Sequence, residues 1–123
     1  MQTVVDGTLT QYQVVNPRSS KTILFLPGWG QNGSLWLPVV NQLNPDFKYI
    51  LLDLPGFGQT QLLPSPATLP DYADFVLSFM AKQKISQPAI FGHSFGGQIA
   101  TYLAVHRSRS LSALILLSPA IDR

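Results

Sequence analysis

Apolar and polar positions along this chain fall into two alternating rhythms, one of period two or unbroken, the other helical. Residues 9–15 alternate loosely and stop at Asn16-Pro17, a turn signal, so they predict an amphipathic edge strand. Residues 22–26 form a short continuous apolar run halted by Pro27-Gly28, the pattern of a strand covered on both faces. Ser34 then stands where it can cap a helix, with Leu35, Trp36, Val39, Val40 and Leu43 at helical spacing. Pro38 falls within about a turn of that start, where a missing N–H does least harm. Residues 47–54 predict the next strand, and residues 59–68, with Pro64 and Pro66, a surface loop. From Pro70 a helix is signalled by Tyr72, Phe75, Val76, Phe79 and Met80 on one face. Asp71 and Asp74 lie at its positive end, and Lys82 and Lys84 at its negative end. Residues 88–91 predict a strand, 98–106 a buried helix, and 111–117 a last strand. Strands and helices in alternation predict an α/β fold, a mostly parallel sheet with helices on its faces.

Composition narrows the function classes. A chain of 123 residues predicts one domain, and 46% hydrophobic with 11% charged residues predicts a buried core rather than disorder. The formal net charge of +2 is spread along the chain and offers no Lys/Arg cluster to neutralise a phosphate backbone, so nucleic acid is excluded as a partner. With no cysteine there is no disulfide framework, thiolate metal site or Cys nucleophile, and neither a metal nor a cofactor is expected. The opening Met1 to Asp6 lacks the basic and apolar regions of a signal peptide. The longest apolar run, around residues 114–117, is far short of the ~20 residues that span a bilayer. These features predict a cytoplasmic protein without a membrane span.

One motif carries chemistry. Gly92-His93-Ser94-Phe95-Gly96 sits between a predicted strand and a predicted helix, the context of a nucleophile elbow. In so sharp a turn, side chains two before and two after the serine would strike neighbouring backbone, and glycine avoids this at both places. The turn lifts the Ser94 hydroxyl to the carboxyl end of the sheet, where the positive end of the following helix favours developing negative charge.

Two further segments occur in order before it. Leu26-Pro27-Gly28-Trp29-Gly30 and Asp53-Leu54-Pro55-Gly56-Phe57-Gly58 each follow a predicted strand. Together the three resemble the oxyanion loop, the D-x-P-G-x-G turn and the nucleophile elbow of the α/β-hydrolase superfamily, nearest to its small carboxylesterases and acyl-ester hydrolases. The resemblance covers the chain from about Leu9 onward. It implies Ser94 as catalytic nucleophile, the backbone N–H groups of Trp29 and Phe95 as the oxyanion hole, and Gly28, Gly92 and Gly96 as loop and elbow glycines. It implies a small-molecule acyl or ester substrate, and a structural role for Asp53 as a carboxylate accepting turn N–H groups. Pro27 stands where many members have His, which leaves backbone donors in place. Trp36 and Phe57 are expected in the core or a pocket wall. A phosphate-binding loop is excluded, because Gly28 to Ser34 has the glycine spacing but no lysine.

A serine hydroxyl needs a base within about 3 Å. His93, adjacent to Ser94, is expected to point away from it, as a hydrogen-bonded supporting residue. His106 lies twelve residues along a helix, about 18 Å away at ~1.5 Å per residue. The resemblance implies the order Ser, acid, His, and after Ser94 only Asp122 and His106 are available, in the wrong arrangement. Residues 1–123 are therefore expected to be the amino-terminal part of a hydrolase domain, with lid, later strands and catalytic His elsewhere. A catalytically inactive module, or one half of a split enzyme, is the alternative; within the fold, acyltransferase and perhydrolase chemistry stay open. The last strand is apolar on both faces and by family topology would become the outer strand, so self-association through it is expected.

Overall fold

The structure, a computed structural model, describes residues 1–64 and 66–119. Asp122 lies outside the described residues. The chain opens with a hairpin of β1 (Gln2–Val5) and β2 (Thr8–Val15), paired antiparallel with Val5 opposite Thr8. Asp6 and Gly7 turn between them, both with positive φ, 48° and 81°, as a two-residue hairpin turn of the right twist demands. The sequence reading placed an edge strand at 9–15 and no strand before it. In the structure β1 is the edge, and β2 lies inside the sheet between β1 and β4.

Four parallel strands follow: β3 (Lys21–Leu26), β4 (Phe47–Leu52), β5 (Ala89–Ser94) and β6 (Ala113–Pro119). The six strands run in the order β1-β2-β4-β3-β5-β6, with β2 antiparallel to β4. The predicted α/β class and mostly parallel sheet are thus observed.

Helix α2 (Leu69–Lys82) and helix α3 (Phe95–His106) cover one face of the sheet. Thr68 caps α2, its side chain accepting from the Asp71 N–H while the Asp71 carboxylate accepts from the Thr68 N–H at 2.8 Å. This reciprocal pair explains the sharp start, with Pro70 in the first turn. Leu24, Leu26, Ile50, Leu52 and Ile90 from the strands meet Tyr72, Phe75, Val76, Phe79, Ile99 and Leu103 from the helices. Full burial of each such aliphatic or aromatic side chain contributes about 1.5–3 kcal/mol.

The opposite face is thinly covered. The expected helix from Ser34 is instead a 3-10 turn, Gly33–Trp36, capped by Asn32, whose side chain accepts from the Leu35 N–H, followed by the single-turn α1 (Leu37–Val40). The cap falls at Asn32 because Gly33 lies directly on β4: a Cβ there would be 2.9 Å from the Leu51 carbonyl carbon and oxygen. Phe25, Val40, Tyr49 and Leu51 form a second small core beneath it. Beyond lies an apolar groove lined by Phe25, Trp36, Val39, Phe91, Ile115 and Leu117. Strand β6 is the outer strand, and Leu114 to Leu117 are each 37–46% exposed. Among the described residues no helix is long and apolar enough to cross a membrane.

Candidate active site

Strand β5 runs through Ser94 and helix α3 begins at Phe95, so no loop separates them. The predicted strand and helix at 88–91 and 98–106 are extended toward each other until they meet at the serine. Ser94 itself absorbs the turn, with φ 54° and ψ −117°, a conformation that a side-chain-bearing residue adopts at a cost of about 1–3 kcal/mol. Its side chain makes no capping bond to α3. Pairing with β6 is irregular at the same point, between His93 and Ser94.

The flanking glycines are required sterically. A Cβ on Gly92 would lie 2.6 Å from the Gly96 carbonyl oxygen and 2.6 Å from Gly97 Cα. A Cβ on Gly96 would overlap the Leu26 carbonyl and sit 2.5 Å from the Pro27 oxygen. Those obstacles belong to the end of β3, so Gly96 lets the first turn of α3 press against the Pro27-Gly28-Trp29 loop. Gly28 faces the elbow: a Cβ there would be 3.2 Å from Ser94 Cβ. The structure therefore brings Gly28 against Ser94, and Gly96 against the start of the same loop.

Two backbone N–H groups belong to the loop and the elbow that meet here. Phe95 opens α3, and N–H groups of a first helical turn have no intrahelical acceptor, while the helix dipole gives that end positive character. In the loop, the Gly28 N–H donates to Gln31 Oε1 at 3.0 Å and the Gln31 N–H donates to the Gly28 oxygen at 3.1 Å. Among the described residues the Trp29 N–H makes no hydrogen bond, leaving it available. Trp29 and Phe95 also meet through their rings, edge to face at 5.1 Å. Phe57 packs on Trp29 at 4.6 Å and Tyr72 on Phe95 at 5.0 Å, giving an aromatic wall beside the serine. Trp29 is 64% exposed, so this wall is open to solvent. Burial raises the Tyr72 phenol above its ordinary value, and it is neutral at physiological pH.

Asp53 holds the loops from below. It is 5% exposed, and its two oxygens accept from the Gly33 N–H at 2.6 Å and the Gln59 N–H at 3.0 Å. This is the turn-binding carboxylate expected from the sequence, and it ties the segment after β3 to the segment after β4.

Neither histidine reaches Ser94 Oγ in a hydrogen bond among the described residues. His93 Nδ1 lies 3.2 Å from Gln31 Oε1, and its ring packs edge to face on Trp36 at 5.4 Å. His106 ends α3, its ring tilted against Tyr102 at 4.3 Å and about 18 Å from the elbow by helix rise. Gln31 was not anticipated. As a polar loop residue in the sequence it carries no signal, because its partner His93 is 62 positions away.

Several known proteins resemble this chain. A pimeloyl-acyl-carrier-protein methyl ester esterase of Vibrio vulnificus is 36% identical over 78% of this chain and 36% of its own length. The dihydrolipoyllysine-residue acetyltransferase component of the acetoin cleaving system of Cupriavidus necator is 34% identical over 94% of this chain and 30% of its own. The crystal structure of the enol-lactonase from Burkholderia xenovorans superposes with a TM-score of 0.86 at 25% identity, over 93% of this chain and 45% of that one. The chain thus spans well under half the length of the relatives it matches. A family model for the alpha/beta hydrolase fold matches residues 21–123. That match starts at β3 and takes in the Pro27-Gly28-Trp29 loop, the Asp53 turn and the strained serine elbow, so the chain belongs to the α/β-hydrolase fold family.

Proposed function

We propose that this protein acts as a serine hydrolase on a carboxylic ester or related acyl substrate, with Ser94 as nucleophile. The observation that carries the reading is the conformation of Ser94, a non-glycine residue held at φ 54° between β5 and α3 with its hydroxyl unused by the helix cap. Ser94 Oγ attacks the acyl carbon and gives its proton to a base. The Trp29 and Phe95 N–H groups receive the resulting oxyanion, each donor contributing about 10²–10³ in kcat. Collapse expels the alcohol with a proton from the same base, and water hydrolyses the acyl-enzyme by the reverse sequence. By their positions neither His93 nor His106 is that base. Residues 1–123 supply the nucleophile and the oxyanion donors of this mechanism.

The test is hydrolysis of a short-chain chromogenic ester by the full chain and by Ser94→Ala. Loss of at least ~10³-fold in kcat is expected, by analogy with other serine nucleophiles; equal rates refute the mechanism. A second reading, acyl transfer, is favoured by the acetyltransferase name of one relative. Adding an alcohol or thiol acceptor separates the two: acylated acceptor formed in preference to free acid selects transfer.

A further inference from the structure

Three groups converge on the Cα of Gly28. A Cβ built there would meet Gln31 Oε1 at 3.1 Å, His93 Nδ1 at 3.1 Å and Ser94 Cβ at 3.2 Å. The loop and the elbow therefore touch at one point, and among the described residues Gln31 is the only one of these side chains that bonds to both. Its own N–H closes the four-residue turn on the Gly28 oxygen, with Gly30 at φ 75° in the third place. Glycine is favoured there because a turn of this kind requires positive φ. Its side chain closes the same turn from the other end, Oε1 accepting from the Gly28 N–H. The same oxygen then faces His93, the residue before the nucleophile.

The chemistry of these contacts fixes the protons. A backbone N–H only donates, so the group facing Gly28 is the amide oxygen of Gln31 and not its NH₂. That oxygen only accepts, so His93 must present Nδ1–H toward it. Gln31 thus selects one imidazole tautomer and binds strand β5 to the loop after β3. It also occupies the Gly28 N–H, leaving the next one, Trp29 N–H, free for an oxyanion.

We infer that Gln31 is a positioning residue: by bridging Gly28 N–H and His93 Nδ1–H it sets the Trp29 oxyanion donor relative to Ser94. The inference rests on the serine-hydrolase reading above for its effect on rate, while its geometric part stands alone. Deleting the bridge in Gln31→Ala leaves the turn with only its backbone bond. An error of about 1 Å in a catalytic group is worth up to ~10²-fold, so kcat is expected to fall roughly 10- to 100-fold with KM within about threefold. Gln31→Glu keeps an oxygen that accepts from both donors and is expected to restore kcat to within about fivefold of wild type.

The readout that does not depend on turnover is the His93 tautomer, read by long-range ¹H–¹⁵N NMR correlation on the full chain. Protonated Nδ1 is expected in the wild type and in Gln31→Glu, with a shift toward protonated Nε2 in Gln31→Ala. An Nε2–H tautomer in the wild type, or an unchanged kcat in Gln31→Ala while Ser94→Ala is inactive, overturns the role of Gln31 and leaves the serine nucleophile standing. Full activity in Ser94→Ala overturns the functional reading, and the tautomer measurement still decides the bridge.

Discussion

Substituting Gly96 by alanine separates two physical effects of opposite sign. Gly96 lies in the first turn of α3, where helix propensity alone favours alanine by about 1 kcal/mol. The structure predicts the reverse. The added Cβ would overlap the Leu26 carbonyl and come within 2.5 Å of the Pro27 oxygen, about 1 Å closer than a comfortable contact. Both obstacles are backbone at the end of β3, so no rotamer change relieves them, and α3 or the loop must move. Overpacking of this kind costs about 1–3 kcal/mol, and fixed obstacles put this case at the upper end. We expect Gly96→Ala to lose about 3 kcal/mol in urea unfolding followed by the fluorescence of Trp29 and Trp36. Because the displaced groups are the proposed oxyanion loop and the elbow, ester turnover is expected to fall about 10²-fold as well. Gly30→Ala is the control: it has positive φ, 75°, but nothing within 4 Å of the new Cβ, and should lose only about 1–2 kcal/mol. A Gly96→Ala variant as stable as wild type or more so, with activity intact, refutes the packing of α3 against the loop.

Other outcomes follow from single contacts. Asp53→Ala leaves the Gly33 and Gln59 N–H groups without their carboxylate, and at about 1.5–3 kcal/mol per bond to a charged acceptor the loss is roughly 3–6 kcal/mol, measurable by the same unfolding assay. The Asp71 carboxyl is held below its ordinary value of 3.8, first by the Thr68 backbone N–H and then by the Thr68 side chain. A depressed carboxyl contributes stability that is full above 3.8 and is lost as pH falls through the lower folded value. Thermal melts in acid should show this component in wild type and not in Asp71→Asn. The groove beside β6 should drive self-association of residues 1–123, and paired Ile115→Lys and Leu117→Lys substitutions should shift light-scattering mass toward the monomer. A monomeric wild type at high concentration contradicts that expectation.

The parts of the fold that were legible in the sequence are those fixed by local pattern. Continuous apolar runs located β3, β4, β5 and β6, and the face of Tyr72, Phe75, Val76 and Phe79 located α2. The elbow was legible because its glycines recur at a fixed spacing around the serine: a Cβ on Gly92 would strike the nearby backbone of Gly96 and Gly97, and one on Gly96 the backbone of Leu26 and Pro27. Strand β1 was missed although Asp6-Gly7 is a hairpin signal, because Gln2-Thr3-Val4-Val5 is short and buries only Val5 fully. The helix after Ser34 was overestimated for another reason. Leu35, Val39 and Leu43 have helical spacing yet are exposed, and Val39 and Leu43 line an open groove rather than a buried face. Gln31 was invisible because its meaning depends on the parallel pairing of β3 with β5, which sets Leu26 beside Gly92 and brings residues 31 and 93 into contact.

The central claim is that Ser94 is a nucleophile presented by a strained elbow to a backbone oxyanion site. Its most direct test is reaction of the full chain with a fluorophosphonate, followed by peptide mass spectrometry. The account predicts one covalent phosphonyl adduct, on Ser94, absent from Ser94→Ala and slowed in Gly96→Ala. An adduct on a different residue, or equal labelling of wild type and Ser94→Ala, would contradict it.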